Sequence, residues 1–541
     1  MPEHKYRQNI QGPRNRGFSQ RQVKAKNQAQ DAQAICDFCK EKGHTHWRCR
    51  LREIQEEKAI IDCEFSNDVQ NSADLQAIRR QYMARAGHLL VEEIMIKVKA
   101  YGDQLNARIL PVSIPVINSH ELVSNYRGLS ASAQQKIEKY LSVYLQKGYI
   151  SNLTARSNFL TYPMIVLTVD GTSLLGLYLN ALNAHVKPID MPLPTRESLL
   201  VGARDMEVFS RLHLKEAIYK IPIEEQCWHM LAFKLGKRTY QFKVMPPGYK
   251  YARNYLHYSV AHSLNSDDQR CTSVYLDQIL VFSPTIAQHT KDLEKVLVAL
   301  KGTGLEVDNQ KSVFMVPELD FIGTRVTHNL VLPKSDIVKK VLACPTPNCT
   351  TDIRRFLGLV GYLAPYLANR IELLKPFCPF LKQDAVFAWN KSFQEAFEVA
   401  KVAVRNISGL SIPDQTVAFK AQVTFMDTHC QIIVSQYSAV VCNIEKSLSP
   451  SLARLPLVDR ELYAMLLTTL RLTRYVANPK IIFQNCSAMA VNRYVQKKRA
   501  GSKAITNLYT AISNLKQSQT AMDNVPMRLT FDITPPNTNI S

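Results

Sequence analysis

Four residues near the start of the 541-residue chain have the types and spacing of a metal site: Cys36, Cys39, His44 and Cys49, in the pattern C-x2-C-x4-H-x4-C. Three thiolates and one imidazole suit tetrahedral zinc. Gly43, just before the histidine, allows the tight turn that so short a loop needs. His46 is a less well spaced alternative ligand. Phe38 and Trp47 offer flat faces on which unpaired bases can stack, and Lys40, Lys42, Arg48 and Arg50 surround them with positive charge. The pattern predicts a zinc knuckle over 36–49 that grips single-stranded RNA or DNA. The plainer alternative is a zinc staple that only folds its own segment.

A second place for chemistry is the run Val274–Ser283, two hydrophobic strands around a turn that holds one acid, Asp277. Its neighbours give it meaning. Phe209-Ser-Arg-Leu-His and Tyr240-Gln-Phe-Lys-Val-Met-Pro-Pro-Gly precede it. Leu319-Asp-Phe-Ile-Gly, Ile353-Arg-Arg-Phe-Leu-Gly-Leu-Val-Gly-Tyr and Phe387-Ala-Trp-Asn follow in order. The series resembles the gypsy-type LTR retrotransposon reverse transcriptase over roughly residues 115–530.

That resemblance implies a polymerase that holds two Mg²⁺ ions between three aspartates. Those positions fall here on His213, Asp277 and Gln278, so one acid stands where three are expected. Glu216 is the only nearby acid that could substitute. The aromatic that excludes ribonucleotides falls on Ile218, with Tyr219 one place late, and the arginine expected to meet the triphosphate falls on Asn180. The fingers segment before Asp170-Gly171 lacks the family's lysines. Farther on, Asp427, Glu461 and Asn485 fall on three acid positions of an RNase H-like site, the last one degenerate. Mg²⁺ is expected only if residual catalysis exists.

The elements needed to position these residues follow from the pattern along the chain. The fold expected is α+β: a right-hand reverse transcriptase (fingers, palm, thumb) followed by an α/β RNase H-like domain. Residues 1–35, rich in Arg, Lys, Gln and Asn, read as a disordered basic arm. A linker with helices is expected over 50–110, fingers and palm over 111–345, thumb or connection helices over 346–412, the RNase H-like domain over 413–532, and a flexible tail over 533–541. No Asp-Thr/Ser-Gly triplet of an aspartic protease lies between knuckle and fingers, and the chain is expected to carry no integrase.

The formal net charge of +21 points to a polyanionic partner, and a 46% hydrophobic content allows sizeable cores. No apolar run approaches the roughly 18 residues of a membrane helix, and the polar start lacks a secretory signal. The expected compartment is cytoplasm or nucleus, without a membrane. The leading expectation is a retroelement-derived nucleic-acid-binding protein unable to polymerise DNA, with single strands and RNA–DNA duplex as partners. The alternatives are an inactive or regulatory subunit that dimerises with itself or with an active reverse transcriptase, a weak residual polymerase or RNase H, and a decaying element.

Overall fold

The computed structural model describes residues 49–71, 75–100, 109–117, 128–153, 157, 159–168, 171–264, 269–382, 385–476, 478–496 and 503–522. The basic arm, the knuckle up to Arg48, and the tail are outside the described residues. The chain divides into two compact units after Ala100. The first holds helices α1 (Arg50–Asn71) and α2 (Leu75–Ala100). Arg50 Nε donates to Glu92 at 2.9 Å and Tyr82 OH donates to Asp62 at 2.6 Å, pairings that only antiparallel helices can make together. Within the segment expected as a linker with helices, α1 and α2 therefore pair as a helical hairpin. The reason lies in α2, where Met83, Ala86, Leu90 and Ile94 recur at helical spacing and are buried.

In the second unit α3 (Ala131–Gln146) is capped by the Ser130 hydroxyl, which accepts from the Ala133 N–H. Then come β1 (Ile150–Asn152), β2 (Pro163–Leu167), β3 (Ser173–Leu177), β4 (Val208–His213), β5 (Ala232–Leu235) and β6 (Arg238–Phe242). Strands β1, β6 and β5 form a small antiparallel sheet, and β2 with β3 a hairpin. Helix α4 (Ala252–His262), β7 (Thr272–Tyr275), β8 (Gln278–Ser283), α5 (Ile286–Gly302) and β9 (Val313–Val316) follow. They complete an antiparallel sheet of order β7-β8-β4-β9, the platform for the candidate site. Phe209, Leu280 and Phe282 from this platform share a core with Leu199, Leu200 and Phe321.

A buried polar chain pins the platform to α5. The Met315 N–H donates to Ser210 Oγ at 2.9 Å, which fills the gap where β4 and β9 slip register. Ser210 is 2.7 Å from His289 Nε2, His289 Nδ1 is 3.0 Å from Ser283 Oγ, and Ser283 donates to Asp292 at 2.7 Å. Since Ser283 spends its proton on Asp292, it accepts from Nδ1–H, and Nε2 must accept from Ser210. The network is satisfied only by a neutral imidazole. Burial pushes His289 down to about 4, against the pull of Asp292, and burial beside His262 pushes His257 down to about 4 as well. Between the ordinary value of 6.5 and about 4 the unfolded chain binds protons that the folded chain refuses. Stability is therefore whole above pH 6.5 and falls as the solution is acidified toward 4, by roughly 3 kcal/mol for each histidine. Urea midpoints at pH 7.5 and pH 5 check this. His289→Asn should show a shallower fall across that window than the unaltered chain.

Strands β10 (Leu319–Phe321), β11 (Thr324–Thr327) and β12 (Leu330–Pro333) begin a second antiparallel sheet. Helices α6 (Ser335–Leu342), α7 (Thr350–Tyr362) and α8 (Lys391–Arg405) intervene before β13 (Leu410–Ser411) completes it beside β12. Val341 of α6 is fully buried with Ile353, Phe356, Phe377 and Phe397. The helical group thus starts at 335, ahead of the expected boundary at 346. The last lobe comprises β14 (Phe419–Phe425), β15 (His429–Gln436), β16 (Ala439–Ser447), α9 (Leu457–Leu472), β17 (Ile481–Gln484), α10 (Ala488–Val495) and α11 (Lys503–Met522). Its sheet runs β16-β15-β14-β17, with β17 parallel to β14, so α9 is the crossover. Ala464 and Leu472 of α9 pack on the sheet, while Leu462 and Leu466 pack with Ile505 and Ile512 of α11. No described helix is long and apolar enough to cross a membrane.

Candidate functional site

The platform brings three of the residues singled out from sequence to one place. His213, the last residue of β4, is the direct cross-strand partner of Gln278, the first residue of β8. Tyr275 and Gln278 pair across the β7–β8 hairpin, which leaves Leu276 and Asp277 as a two-residue turn. Leu276 takes the positive φ of 60° that such a turn needs at its first position, where glycine is usual. The end of β4 is tied on both sides. Leu214 N–H donates to Asp277 O at 2.8 Å, His213 N–H donates to Ser312 Oγ at 3.0 Å, and Asp308 N–H donates to His213 O at 2.8 Å. His213, Asp277 and Gln278 are all partly exposed.

Two Mg²⁺ ions beside a triphosphate need hard, anionic oxygen ligands in near-octahedral array. This corner offers one carboxylate, one amide and one imidazole, and the pair of ions does not fit that donor set. Among the described residues no group of three or more His, Cys, Asp or Glu side chains is placed to hold a metal ion. Glu216, the potential substitute, sits at φ 50° with its carboxylate turned to Lys147 Nζ at 2.6 Å and Tyr149 OH at 3.3 Å. Burial and that carboxylate push the Tyr149 phenol up.

The other positions that departed from the expected pattern have neighbours of their own. Tyr219 is 1% exposed, stacks on Tyr149 at 5.0 Å and donates to Leu175 O at 2.8 Å. Ile218 is buried beside it in sequence, so neither is an open wall for a sugar. Asn180 donates to Tyr178 OH at 2.8 Å, and Tyr178 stacks on Tyr162 at 4.7 Å. One residue that sequence reasoning passed over is Arg253 on α4, whose guanidinium donates to Tyr275 OH at 3.3 Å. Nothing in its local sequence marks it; only the fold carries it to the turn.

In the last lobe the three expected acid positions do not converge. Parallel pairing sets Gln422 beside Gln484, so Asn485 is level with Val423. Asp427 lies four residues further along, about 13 Å in extended chain, and is exposed in the Met426–Thr428 hairpin turn. The hairpin is too short to carry Asp427 inside the strand. Glu461 is 4% exposed and accepts from the Ser487 hydroxyl at 2.5 Å and the Ser487 N–H at 3.1 Å, just past Asn485. Burial and the Glu461 carboxylate push the Cys486 thiol up to about 11. Glu461 is thus brought to the end of β17, where Asn485 has φ 61°, and there it serves as an acceptor for the turn into α10. The Cys430 and Cys442 thiols are buried and pushed up to about 11 by burial.

Of the predicted knuckle, Cys36, Phe38, Cys39, Lys40, Lys42, His44, Trp47 and Arg48 lie outside the described residues. Cys49 is 1% exposed, and its carbonyl accepts the Arg52 and Glu53 N–H groups that open α1. Arg50, expected to contact nucleic acid, instead forks onto both Glu92 oxygens at 2.9 and 3.0 Å and reaches Glu53 at 3.1 Å. Hydrogen bonds to Glu92 and Glu53 hold its guanidinium above the ordinary value. A phosphate would have to compete with Glu92 for it.

Comparison with known proteins agrees with this platform. Residues 161–326 match the family of reverse transcriptases (RNA-dependent DNA polymerases). The Tf2-3 and Tf2-4 transposon polyproteins of Schizosaccharomyces pombe are each 29% identical over 238 residues, 44% of this chain and 18% of theirs. The chain therefore spans under a fifth of the length of these curated relatives. Among solved structures, the foamy viral protease-reverse transcriptase in complex with RNA/DNA hybrid superposes with a TM-score of 0.66 at 17% identity, over 88% of this chain and 64% of that one. The same viral protein in complex with double-stranded DNA gives 0.63 at 17% identity, over 84% and 94%. Residues 161–326 are thus similar to reverse transcriptases, and the chain is similar over 238 residues to retrotransposon polyproteins.

Proposed function

We propose that this chain is a retroelement-derived nucleic-acid-binding protein that keeps the reverse transcriptase fold and does not polymerise DNA. The observation that carries the reading is the cross-strand pair of His213 and Gln278 beside the lone acid Asp277. Without paired carboxylates nothing there neutralises a leaving pyrophosphate or activates a primer hydroxyl. The net charge of +21 supports binding to a polyanion, and grip on a duplex rests on shape and backbone charge more than on catalytic acids. The foamy viral proteins of similar fold were captured on double-stranded DNA and on RNA/DNA hybrid, which makes such duplexes the first ligands to test.

The reading extends to the rest of the chain. The C-x2-C-x4-H-x4-C spacing supports zinc on Cys36, Cys39, His44 and Cys49, and the order of the phrases supports a gypsy-type origin. The sheet order β16-β15-β14-β17 with a helical crossover supports an RNase H-like last lobe, with Glu461 the one expected acid that reaches the end of β17.

Primer extension on a recessed RNA template, at a concentration where a mobility shift registers the duplex as bound, tests the reading. The expected result is a bound duplex and no extension, at least 10³-fold below an active enzyme, with Mg²⁺ or Mn²⁺. Extension that disappears on Asp277→Ala would overturn it.

A further inference from the structure

We propose that the ring of Tyr178 stacks an unpaired base of the strand that overhangs a bound nucleic-acid duplex. The inference rests on the nucleic-acid-binding reading above and gives it a contact. Pro163 of β2 is opposite Leu177 of β3, and the Tyr178 N–H donates to Tyr162 O at 3.1 Å. Tyr162 and Tyr178 are thus the next cross-strand pair, at the open end of the hairpin. Side chains directly opposite point to one face, and these two stack with centroids 4.7 Å apart and planes 13° apart. The stack occupies one face of the Tyr178 ring. The residue is 38% exposed, and Asn180, which donates to its OH at 2.8 Å, fixes the ring's edge.

The surroundings suit a polyanionic strand. Residues two apart on a strand share a face. Gly176, on the face of the stack, lies against Pro247, whose carbonyl oxygen would be 2.6 Å from a Cβ added there. The stack therefore borders the segment that leads through Gly248 to Lys250. The short helix Asn180–His185 makes the same link, since Asn183, one turn after Asn180, accepts the Lys250 N–H at 2.8 Å. Lys250 is exposed, its ammonium is 5.2 Å from the centre of the Tyr251 ring, and no carboxylate pairs with it among the described residues. The acid nearest to Tyr251 along these bonds is Asp190. It follows Ile189, whose N–H donates to Tyr251 OH, and its segment continues along α4 past Asn254 to Tyr258, away from the stack.

A flat ring beside an unpaired ammonium is what sequence-tolerant binding of single strands uses: the base takes the ring and the phosphate takes the cation. A stacked base is uncharged, so it displaces no ion pair. Tyr437 is more exposed than Tyr178, but Arg204 covers its ring and its OH donates to the Asp414 carboxylate. A clasp for the β2–β3 hairpin would need the stack alone, without an open outer face.

The test is fluorescence anisotropy with the full chain and two RNA–DNA hybrids of one duplex sequence, the first blunt and the second with an unpaired template overhang. The overhang should tighten binding by roughly 5- to 100-fold. Tyr178→Ala should abolish that gain and leave the blunt hybrid bound as before. Tyr178→Phe, which keeps the ring and loses only the bond from Asn180, should keep the gain. Tyr178→Leu, which keeps apolar bulk without a π-face, should lose most of it and serves if the alanine variant does not fold. Iodouracil placed in the overhang should crosslink on irradiation to the peptide that contains Tyr178. An overhang that adds nothing to the affinity of the unaltered chain, or a gain that survives both Tyr178→Ala and Tyr178→Leu, overturns the proposal and leaves the wider reading standing if the blunt hybrid is bound. Equal weakening of both hybrids by Tyr178→Ala would make the pair a clasp only and overturns it too. If neither hybrid is bound, the wider reading fails with it.

Discussion

Gly248→Ala is expected to leave little soluble protein, and any that is recovered should unfold about 4 kcal/mol more easily than the unaltered chain. Gly248 has φ +110°, and a Cβ there would lie 2.0 Å from the carbonyl oxygen of Leu177 and 3.2 Å from its carbon. Both are backbone atoms of β3, so no side chain can swing away. The close approach is used: the Leu177 N–H donates to Pro247 O at 2.9 Å, and Asn183 donates to Gly248 O at 2.9 Å while accepting the Lys250 N–H at 2.8 Å. These bonds lash the β2–β3 hairpin to the segment that leads into α4, the helix that carries Arg253 to the turn. Gly304 separates clash from backbone strain. It has φ +73° but nothing within 4 Å of its would-be Cβ, so Gly304→Ala should cost only about 1 kcal/mol. Urea denaturation and the soluble fraction of both variants check the contrast. Equal losses would mean that backbone angle, not contact with Leu177, governs the site.

The phrase around Gly248 was legible because it repeats a family wording, and the β7–β8 hairpin because its apolar runs flank a turn. Register was another matter. A one-residue slip in pairing turns every side chain to the other face, and neither strand alone says which partner it takes. That His213 and Gln278 would meet came from the resemblance, not from their local pattern. Glu216 looked available because its partner Lys147 is distant in sequence and lies on another element. Asp427 looked like the first acid of the last lobe because its neighbours fit, but the shortened hairpin ends the strand before reaching it. The helical hairpin of α1 and α2 was hidden because an amphipathic pattern says a helix has a partner without saying which.

The same limit hid a charged tie between the platform and the last lobe. Arg471 of α9 reaches Glu197, in the short helix Arg196–Leu200 that packs on the platform, at 2.9 Å. Burial works to raise the Glu197 carboxyl, but Arg471 and Arg196 hold it below the ordinary range. Both side chains are largely shielded, 20% and 10% exposed. Thr195 Oγ1 also donates to Arg474 O at 3.2 Å, so Thr195 and Glu197 on one side meet α9 and its C-terminal turn on the other. Breaking a largely buried pair from one side leaves Glu197 with only Arg196 paired to it, at 3.5 Å, which costs more than the pair contributes. Arg471→Met is therefore expected to cost about 3 kcal/mol in the unfolding transition of the last lobe, and to speed protease cleavage in the 405–419 connection. Removing both charges, Glu197→Leu with Arg471→Met, should cost less than Arg471→Met alone, because no shielded carboxylate is left short of its nearer partner. If the double change instead costs the sum of the two single ones, the residues do not act as a pair, and Arg471 and Glu197 hold the last lobe and the platform through separate contacts.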